Sequence, residues 1–236
     1  MPTLLHIETA TNVCSVALSC NGQLLSFRES SVKNAHSSVL TIFIEENFKS
    51  AGIKNSEIDA IAVSEGPGSY TGLRIGVATA KGLCYALDKP LIAIPTLEAM
   101  ASGMLNQQLL IPNSKLQTLY CPMIDARRME VFSSVFTSGM VEIRETLAEI
   151  IDETSFFEIL KEQPIFFAGD GAAKCKPLLE KNKNAYFLDD FQTSAKYMIQ
   201  LAEKKFLSGD FENIAYFEPF YLKDFVAGKP RVKGLI

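Results

Sequence analysis

The sequence predicts an α/β protein built from two lobes of related topology. Its 236 residues suffice for one large domain or for two of about 110 residues each. Hydrophobic residues make up 47% of the chain and charged residues 21%, a balance that argues against extended disorder. In both halves strand patterns come first and then alternate with helix patterns, which is typical of α/β lobes.

The first half begins with strand patterns. In residues 14–20 the apolar side chains occupy every second position, which predicts a strand with one apolar face and a second face of Ser15, Ala17 and Ser19. Asn21 and Gly22 supply the positive-φ pair of a two-residue hairpin turn. Further strands are expected at residues 4–7, 23–28, 60–63 and 90–94, with helices at 37–50, after Gly72, and at 96–105.

The lobe boundary is placed in a polar connector, residues 106–114. The expected lobes are therefore residues 1–105 and 106–236, with the last helix a candidate to return to the first lobe. The second lobe is expected to contain strands at 118–124, 130–137, 165–168 and 185–188, and helices at 155–161, 172–181 and 194–207.

Composition excludes several classes of function. The formal net charge is −4 and the pI is near 5.4, so the chain has no overall basic footprint for nucleic acid, and any RNA contact must be local or made through a partner. No segment is typical of a membrane span or a signal peptide. The five cysteines form no C-x-x-C pair, which favours reduced thiols and the cytoplasm.

The loop at residues 66–72, G-P-G-S-Y-T-G, joins a predicted strand to a predicted helix. Such a loop presents backbone N–H groups that can hold a phosphate. It matches no named template: Thr71 stands where a dinucleotide fingerprint needs glycine, Pro67 stands where a serine-hydrolase elbow needs glycine, and no Gly-Lys-Ser/Thr follows. A tight structural turn and an anion site both remain open.

Three other polar segments are candidates. Glu8 and Thr9 directly follow the first strand, where a carboxylate could hold a metal-bound phosphate through water; the alternative is a self-satisfied polar loop. Residues 125–128, D-A-R-R, suit phosphate or carboxylate recognition or form a solvated turn. The turn at 169–171 is a weaker signal, and a solvated helix face equally explains the lysine cluster of Lys174, Lys176, Lys181 and Lys183.

The small number of histidines limits which metal sites the chain can form. His6 and His36 are the two histidines of the chain, and they form no H-x-x-x-H or H-E-x-x-H pair. A zinc hydrolase is therefore disfavoured, whereas carboxylate-only magnesium binding stays open. His6 lies in an apolar strand pattern and is expected to be a packed core residue.

Four segments together resemble the bacterial TsaB family, also called YeaZ: I-E-T-A-T-N-V-C-S-V-A-L at 7–18, N-A-H-S-S-V-L at 34–40, S-E-G-P-G-S-Y-T-G-L-R-I-G at 64–76 and I-D-A-R-R-M-E-V-F at 124–132. The likeness is strong over the first 135 residues. The glycine-rich segment is shared with the paralogous TsaD subunit, but TsaD carries its metal on a histidine pair that is missing here.

The resemblance implies an actin/Hsp70/sugar-kinase-like (ASKHA) fold. It also implies a role in the complex that makes N6-threonylcarbamoyladenosine at position 37 of ANN-decoding tRNAs. In that complex the chain would be a noncatalytic scaffold that binds TsaD, and a TsaE ATPase would join them. The tRNA would be contacted only through the complex. No cofactor is required, although weak ATP or ADP binding is compatible with degenerate phosphate loops at Glu8, Thr9, Gly66, Gly68 and Gly72. Glu8 stands where active members of the fold carry Asp.

The family uses two helices for a four-helix contact with TsaD, and these are the helices at 37–50 and after Gly72. The resemblance therefore implies partner-binding roles for His36, Leu40, Phe43, Ile44, Gly76, Val77, Ala80 and Cys84. A homodimer through the same surface is expected when TsaD is absent. A charge at Ala80 is expected to abolish both contacts while the monomer stays folded.

A rival hypothesis is a free-standing ATP-dependent enzyme that uses Glu8 and the 66–72 loop. ATP turnover by the purified chain would separate the two hypotheses. A peptidase is disfavoured, because the chain has no metal histidines and no serine or cysteine nucleophile pattern. Gly68 and Gly72 are expected to need positive φ angles, so that valine at either position lowers stability.

Overall fold

The computed structural model describes residues 1–32, 35–107 and 117–223. Within these ranges the chain forms two five-stranded mixed sheets. Most of the expected connector at 106–114 lies outside the described residues, and the division at residues 105 and 106 stays a prediction. Within the same ranges, no helix combines the length and the apolar character needed to cross a membrane.

The first sheet has the strand order β3-β2-β1-β4-β5, in which β1 runs antiparallel to β2 and parallel to β4. Its strands are β1 (Thr3–Glu8), β2 (Cys14–Cys20), β3 (Gln23–Ser30), β4 (Ala60–Gly66) and β5 (Leu91–Pro95), and its helices are α1 (His36–Ala51), α2 (Tyr70–Leu87) and α3 (Thr96–Leu105).

The second sheet has the order β8-β7-β6-β9-β10, which repeats the order of the first. Its strands are β6 (Leu119–Asp125), β7 (Glu130–Thr137), β8 (Glu142–Ile150), β9 (Ile165–Ala168) and β10 (Ala185–Leu188), and the later helices are α4 (Phe157–Glu162), α5 (Asp170–Leu179) and α6 (Ile199–Ser208). The prediction of two α/β lobes with related topology is confirmed.

Local sequence signals explain several element ends. Asn21 and Gly22 have φ angles of 51° and 69°, as the hairpin turn requires. Gly52 ends α1 with a left-handed φ of 68°, and its backbone N–H donates to Lys49 and Phe48 carbonyls. Ser69 caps α2, because its hydroxyl accepts a hydrogen bond from the Gly72 N–H.

Both faces of the first sheet are covered. Helices α1 and α2 pack on one face, where Leu40, Ile44 and Val77 join the main core. Helix α6, the turn before it at Ala195–Met198 and Ala99 of α3 cover the other face, where Ala202 and Met198 pack against Leu4, Ala60, Ala62, Ile92 and Ile94. Ser15, Ala17 and Ser19, the second face of β2, are buried as well, and the Ala195 N–H donates to the Ser15 hydroxyl at 2.8 Å.

Strand β8 was not predicted from the sequence. Its residues E-I-R-E-T-L-A-E-I alternate charge and apolar side chains irregularly, and the strand pairs with β7 at the edge of the second sheet. The guanidinium of Arg144 donates to both carboxylate oxygens of Glu149 at 2.5 and 2.7 Å, and the Ser133 hydroxyl of β7 donates to the same carboxylate. This charge network orders a segment that has little apolar signal.

Residues 214–222, here called the closing segment, connect the two lobes. Phe217 is buried in the core of the first lobe, and the Lys81 ammonium of α2 donates to its carbonyl at 2.9 Å. The Phe220 N–H donates to the Glu65 carbonyl at 2.7 Å. Leu222 packs against the cluster between α3 and the second sheet, so the segment spans both lobes.

Candidate functional site

The loop after β1 and the glycine-rich loop before α2 pack directly against each other. The Ser69 N–H donates to the Ala10 carbonyl at 2.6 Å. The Thr9 hydroxyl donates to the Gly72 carbonyl at 2.9 Å, and it lies against the bare α-carbon of Gly76. The two loops predicted as phosphate loops therefore form one interlocked joint.

The glycines of this joint allow close approach of protein backbone. A β-carbon at Gly68 would collide with the Ala10 carbonyl, and one at Gly72 would collide with the Thr9 carbonyl. Neither residue has a positive φ, so the expected reason for glycine at these two positions was wrong. Gly66 does have a positive φ of 123°, and its α-carbon faces the Phe220 carbonyl.

Glu8 lies inside this joint. Its side chain is 1% exposed, and its Oε1 atom accepts hydrogen bonds from the Ala10 N–H at 2.6 Å and from the Ser64 hydroxyl at 3.0 Å. The Oε2 atom has no hydrogen-bond partner among the described residues. Burial raises the pKa of the Glu8 carboxyl to about 7, although the hydrogen bonds act to lower it.

Of the five residues predicted to hold a nucleotide phosphate, Glu8, Thr9 and Gly72 pack inside the joint. Thr9 and Gly72 pack against protein atoms, and the Glu8 carboxyl is enclosed beside Ser64. Gly68, whose α-carbon faces the Ala10 carbonyl, also lines the cleft between the two lobes. Ser64 was not singled out in the sequence, because a serine at a strand end carries no signal until its neighbour is known. Weak ATP or ADP binding at these loops stays a prediction.

Both histidines are structural. His6 is buried as expected; its Nε2 lies 2.7 Å from the Ser19 hydroxyl, and burial lowers its pKa to about 3. His36 begins α1, and its Nε2–H donates to the Thr11 carbonyl at 2.9 Å and the Val13 carbonyl at 3.2 Å. His36 therefore ties α1 to the loop after β1.

The residues proposed from the resemblance to bind a partner are mostly buried in the first lobe itself. The buried members are His36, Leu40, Ile44, Gly76, Val77, Ala80 and Cys84, while Phe43 is half-buried against the same core. A charge at Ala80 would lie in this core, so the expectation that Ala80→Glu leaves the monomer folded was wrong.

The outer faces of α1 and α2 are the surfaces that another chain can reach. Ile42 of α1 is 49% exposed and Tyr85 of α2 is 87% exposed. Ala78 and Gly82 of α2 are exposed as well. Small residues beside exposed apolar side chains let another helix approach closely. We call Ile42, Ala78, Gly82 and Tyr85 the outer helix face.

A cleft of about 460 Å³ lies between the two lobes. Its aromatic lining comes from Tyr70, Phe132, Phe220 and Tyr221. The Tyr70 and Tyr221 rings lie 4.7 Å apart, and the Arg74 guanidinium sits 4.3 Å from the Tyr70 ring centre. The closing segment thus forms part of the cleft wall, a role that its sequence does not reveal.

The charged side of the cleft comes from the ends of β6 and β9. The Asp125 N–H donates to the Asp170 carboxylate at 2.9 Å, and burial raises the pKa of that carboxyl. Lys174 pairs with Asp125, and Arg127 lines the mouth of the cleft. Two other members of the predicted lysine cluster form separate ion pairs: Lys176 pairs with Asp189, and Lys181 pairs with Glu153.

In the part of the chain that the structure describes, no cluster of three or more His, Cys, Asp or Glu side chains is arranged to hold a metal ion.

Comparison with known proteins adds the relatives of this chain. Residues 29–230 match the family described as TsaD, tRNA N6-adenosine threonylcarbamoyltransferase. The tRNA threonylcarbamoyladenosine biosynthesis proteins TsaB of Haemophilus influenzae and Escherichia coli are 30% and 29% identical to it, and both alignments cover 96% of each chain. The solved structure of YeaZ from Pseudomonas aeruginosa superimposes with a TM-score of 0.80 at 25% identity, over 94% of this chain and 100% of that one.

The duplicated strand order and the interlobe cleft define the class, a two-lobed α/β protein of the actin/Hsp70/sugar-kinase-like fold. Within that class, the chain belongs to the TsaB family, also called YeaZ. The family resemblance drawn from the four sequence segments is confirmed.

Proposed function

We propose that this chain is a noncatalytic subunit of the complex that forms N6-threonylcarbamoyladenosine at position 37 of ANN-decoding tRNAs. It binds and supports the TsaD transferase, and a TsaE ATPase joins the complex. The observation that carries the proposal is the match along almost the whole chain to relatives named for this biosynthesis. The cytoplasm, where tRNA is modified, is the corresponding location.

The packed joint supports a noncatalytic role. An ATP-dependent enzyme of this fold needs an open phosphate loop and an accessible acid. Here the loop glycines accommodate the Thr9 and Ala10 backbone, and the Glu8 carboxyl is buried with a raised pKa. We therefore expect the purified chain to show no peptidase activity and negligible ATP turnover.

The outer helix face supports the docking role. Ile42 and Tyr85 expose apolar surface on two helices that are packed side by side on one sheet. A pair of helices from TsaD can pack on such a surface, with Ala78 and Gly82 allowing close approach. When TsaD is absent, a second copy of this chain is expected to cover the same face, giving a homodimer.

Calorimetric titration of this chain with the TsaD homologue of the same organism tests the docking role. Ala78→Glu places a charge on the exposed side of α2, so the variant should fold normally and lose TsaD binding by at least tenfold, since a buried unpaired charge is costly at an interface. The homodimer should weaken in parallel.

Ile150→Glu is the control. Ile150 is also an exposed apolar residue, at 74% exposure, but it lies on β8 of the second lobe. It should bind TsaD like the wild type. Unchanged binding by Ala78→Glu would show that this face is not the docking surface, and loss of binding by Ile150→Glu alone would move the surface to the second lobe.

A further inference from the structure

The turn between β6 and β7 carries two arginines, and the first of them, Arg127, lines the interlobe cleft. Arg127 and Arg128 have φ angles of 74° and 53°, in the left-handed region that glycine and asparagine favour. The turn is held by the Ala126 N–H, which donates to the Glu130 carbonyl, and by the Arg127 N–H, which donates to the Asp125 carboxylate at 2.7 Å. Both arginine side chains are exposed.

Neither guanidinium group has an ion-pair or hydrogen-bond partner within residues 1–32, 35–107 and 117–223. The two acids nearest in the sequence are already engaged: Asp125 pairs with Lys174, and Glu130 pairs with Lys223. The turn is therefore a point of uncompensated positive charge on a chain whose formal net charge is −4. Its charge is available to a ligand.

The surroundings of the turn favour nucleic acid over an acidic protein. Arg127 lines the same cleft as Tyr70, Phe132 and Tyr221, and aromatic rings beside arginines are the combination that binds nucleotide bases and phosphates. A protein docking site is centred on apolar surface, whereas this turn is flanked by ion pairs.

We propose that Arg127 and Arg128 contact the phosphodiester backbone of the tRNA within the assembled complex. The inference rests on the proposed function, and it adds a direct RNA contact from this chain. A guanidinium group forms paired hydrogen bonds with phosphate oxygens, and an exposed turn at a cleft mouth can reach a bulky RNA.

The test measures affinity of the complex of this chain with its TsaD homologue for an unmodified transcript of an ANN-decoding tRNA, by fluorescence anisotropy at 50 to 300 mM KCl. The double variant Arg127→Asn, Arg128→Asn removes both charges and keeps residues that accept left-handed angles. We expect a loss of affinity of roughly tenfold near 0.1 M salt. The salt slope, meaning the slope of log K against log salt concentration, should decrease in magnitude by about one to two. Arg127→Lys, Arg128→Lys should retain most of the salt slope.

The control Lys181→Asn, Lys183→Asn removes two positive charges from another exposed loop and should leave the affinity unchanged. Unchanged tRNA affinity of the asparagine variant, in a complex that assembles normally, would overturn this inference and leave the proposed function intact. If the asparagine variant fails to assemble with TsaD, the turn contacts protein and the RNA assignment is wrong. If the wild-type chain forms no complex, the proposed function fails and this inference fails with it.

Discussion

The Glu8 carboxyl binds a proton more tightly in the folded chain than in the unfolded chain. Its pKa rises from 4.5 to about 7 on burial. An acid with a raised folded pKa stabilises the fold below the unfolded pKa, and this contribution is lost as the pH rises through the folded value. The free energy of unfolding therefore falls between about pH 4.5 and about pH 7 because of Glu8, and above pH 7 the ionised Glu8 carboxylate destabilises the fold.

Glu8→Gln should remove this pH dependence. From pH 5 to pH 8 the wild type should lose roughly 3 kcal/mol of unfolding free energy relative to the variant, since 1 pKa unit corresponds to about 1.4 kcal/mol. Urea unfolding of both proteins at the two pH values measures this difference. His6 acts in the opposite direction, because its pKa is lowered to about 3, but it is common to both proteins and cancels. Parallel pH profiles would mean that Glu8 is already ionised at pH 5.

At the scale of the helix, two of the three glycines of α2 have opposite effects on packing. Gly72 faces the Thr9 carbonyl, whereas a β-carbon at Gly82 would meet nothing within 4 Å. Gly72→Ala should therefore lower stability by about 1–3 kcal/mol through overpacking. Gly82→Ala, the matched control, should raise it by about 0.5–1 kcal/mol, because alanine has the higher helix propensity.

Thermal unfolding of the two variants measures the pair of effects. The expected result is a lower melting temperature for Gly72→Ala and a higher one for Gly82→Ala. A stable Gly72→Ala variant would show that the loop after β1 moves away without cost. The joint would then no longer account for the glycine at this position.

The elements that could be predicted are those with a strong local pattern. The helix α1 and the hairpin at Asn21 and Gly22 have apolar periodicity or turn residues that specify them. Strand β8 has neither signal. Its strand conformation depends on pairing with β7 and on the Arg144–Glu149 ion pair. The same limit applies to the candidate site. The sequence predicted both loops of the joint, but their direct packing against each other is seen only in the fold.

At the scale of the whole molecule, stability depends on the closing segment. Phe217 is buried in the core of the first lobe although it lies more than a hundred residues from the helices that it packs against. Phe217→Ala should cost about 3 kcal/mol or more of unfolding free energy. Its neighbour Tyr216 is 84% exposed, so Tyr216→Ala should change stability by less than about 0.5 kcal/mol.

Chemical denaturation of these two variants, followed by circular dichroism, provides the measurement. Equal unfolding midpoints for Phe217→Ala and Tyr216→Ala would contradict the anchoring role of Phe217. A loss confined to Phe217→Ala would show that the closing segment is part of the cooperative fold.

The cover that α6 places over the first sheet also bears on how the chain is made. Leu4, Ala60, Ile92 and Ile94 belong to the part of the protein that leaves the ribosome first, but Met198 and Ala202, which bury them, are synthesised about a hundred residues later than Ile94. During this interval the nascent first lobe exposes the part of this apolar sheet face that α3 does not cover. Such a face is a binding site for chaperones that protect unfinished chains, and it disappears only when α6 docks.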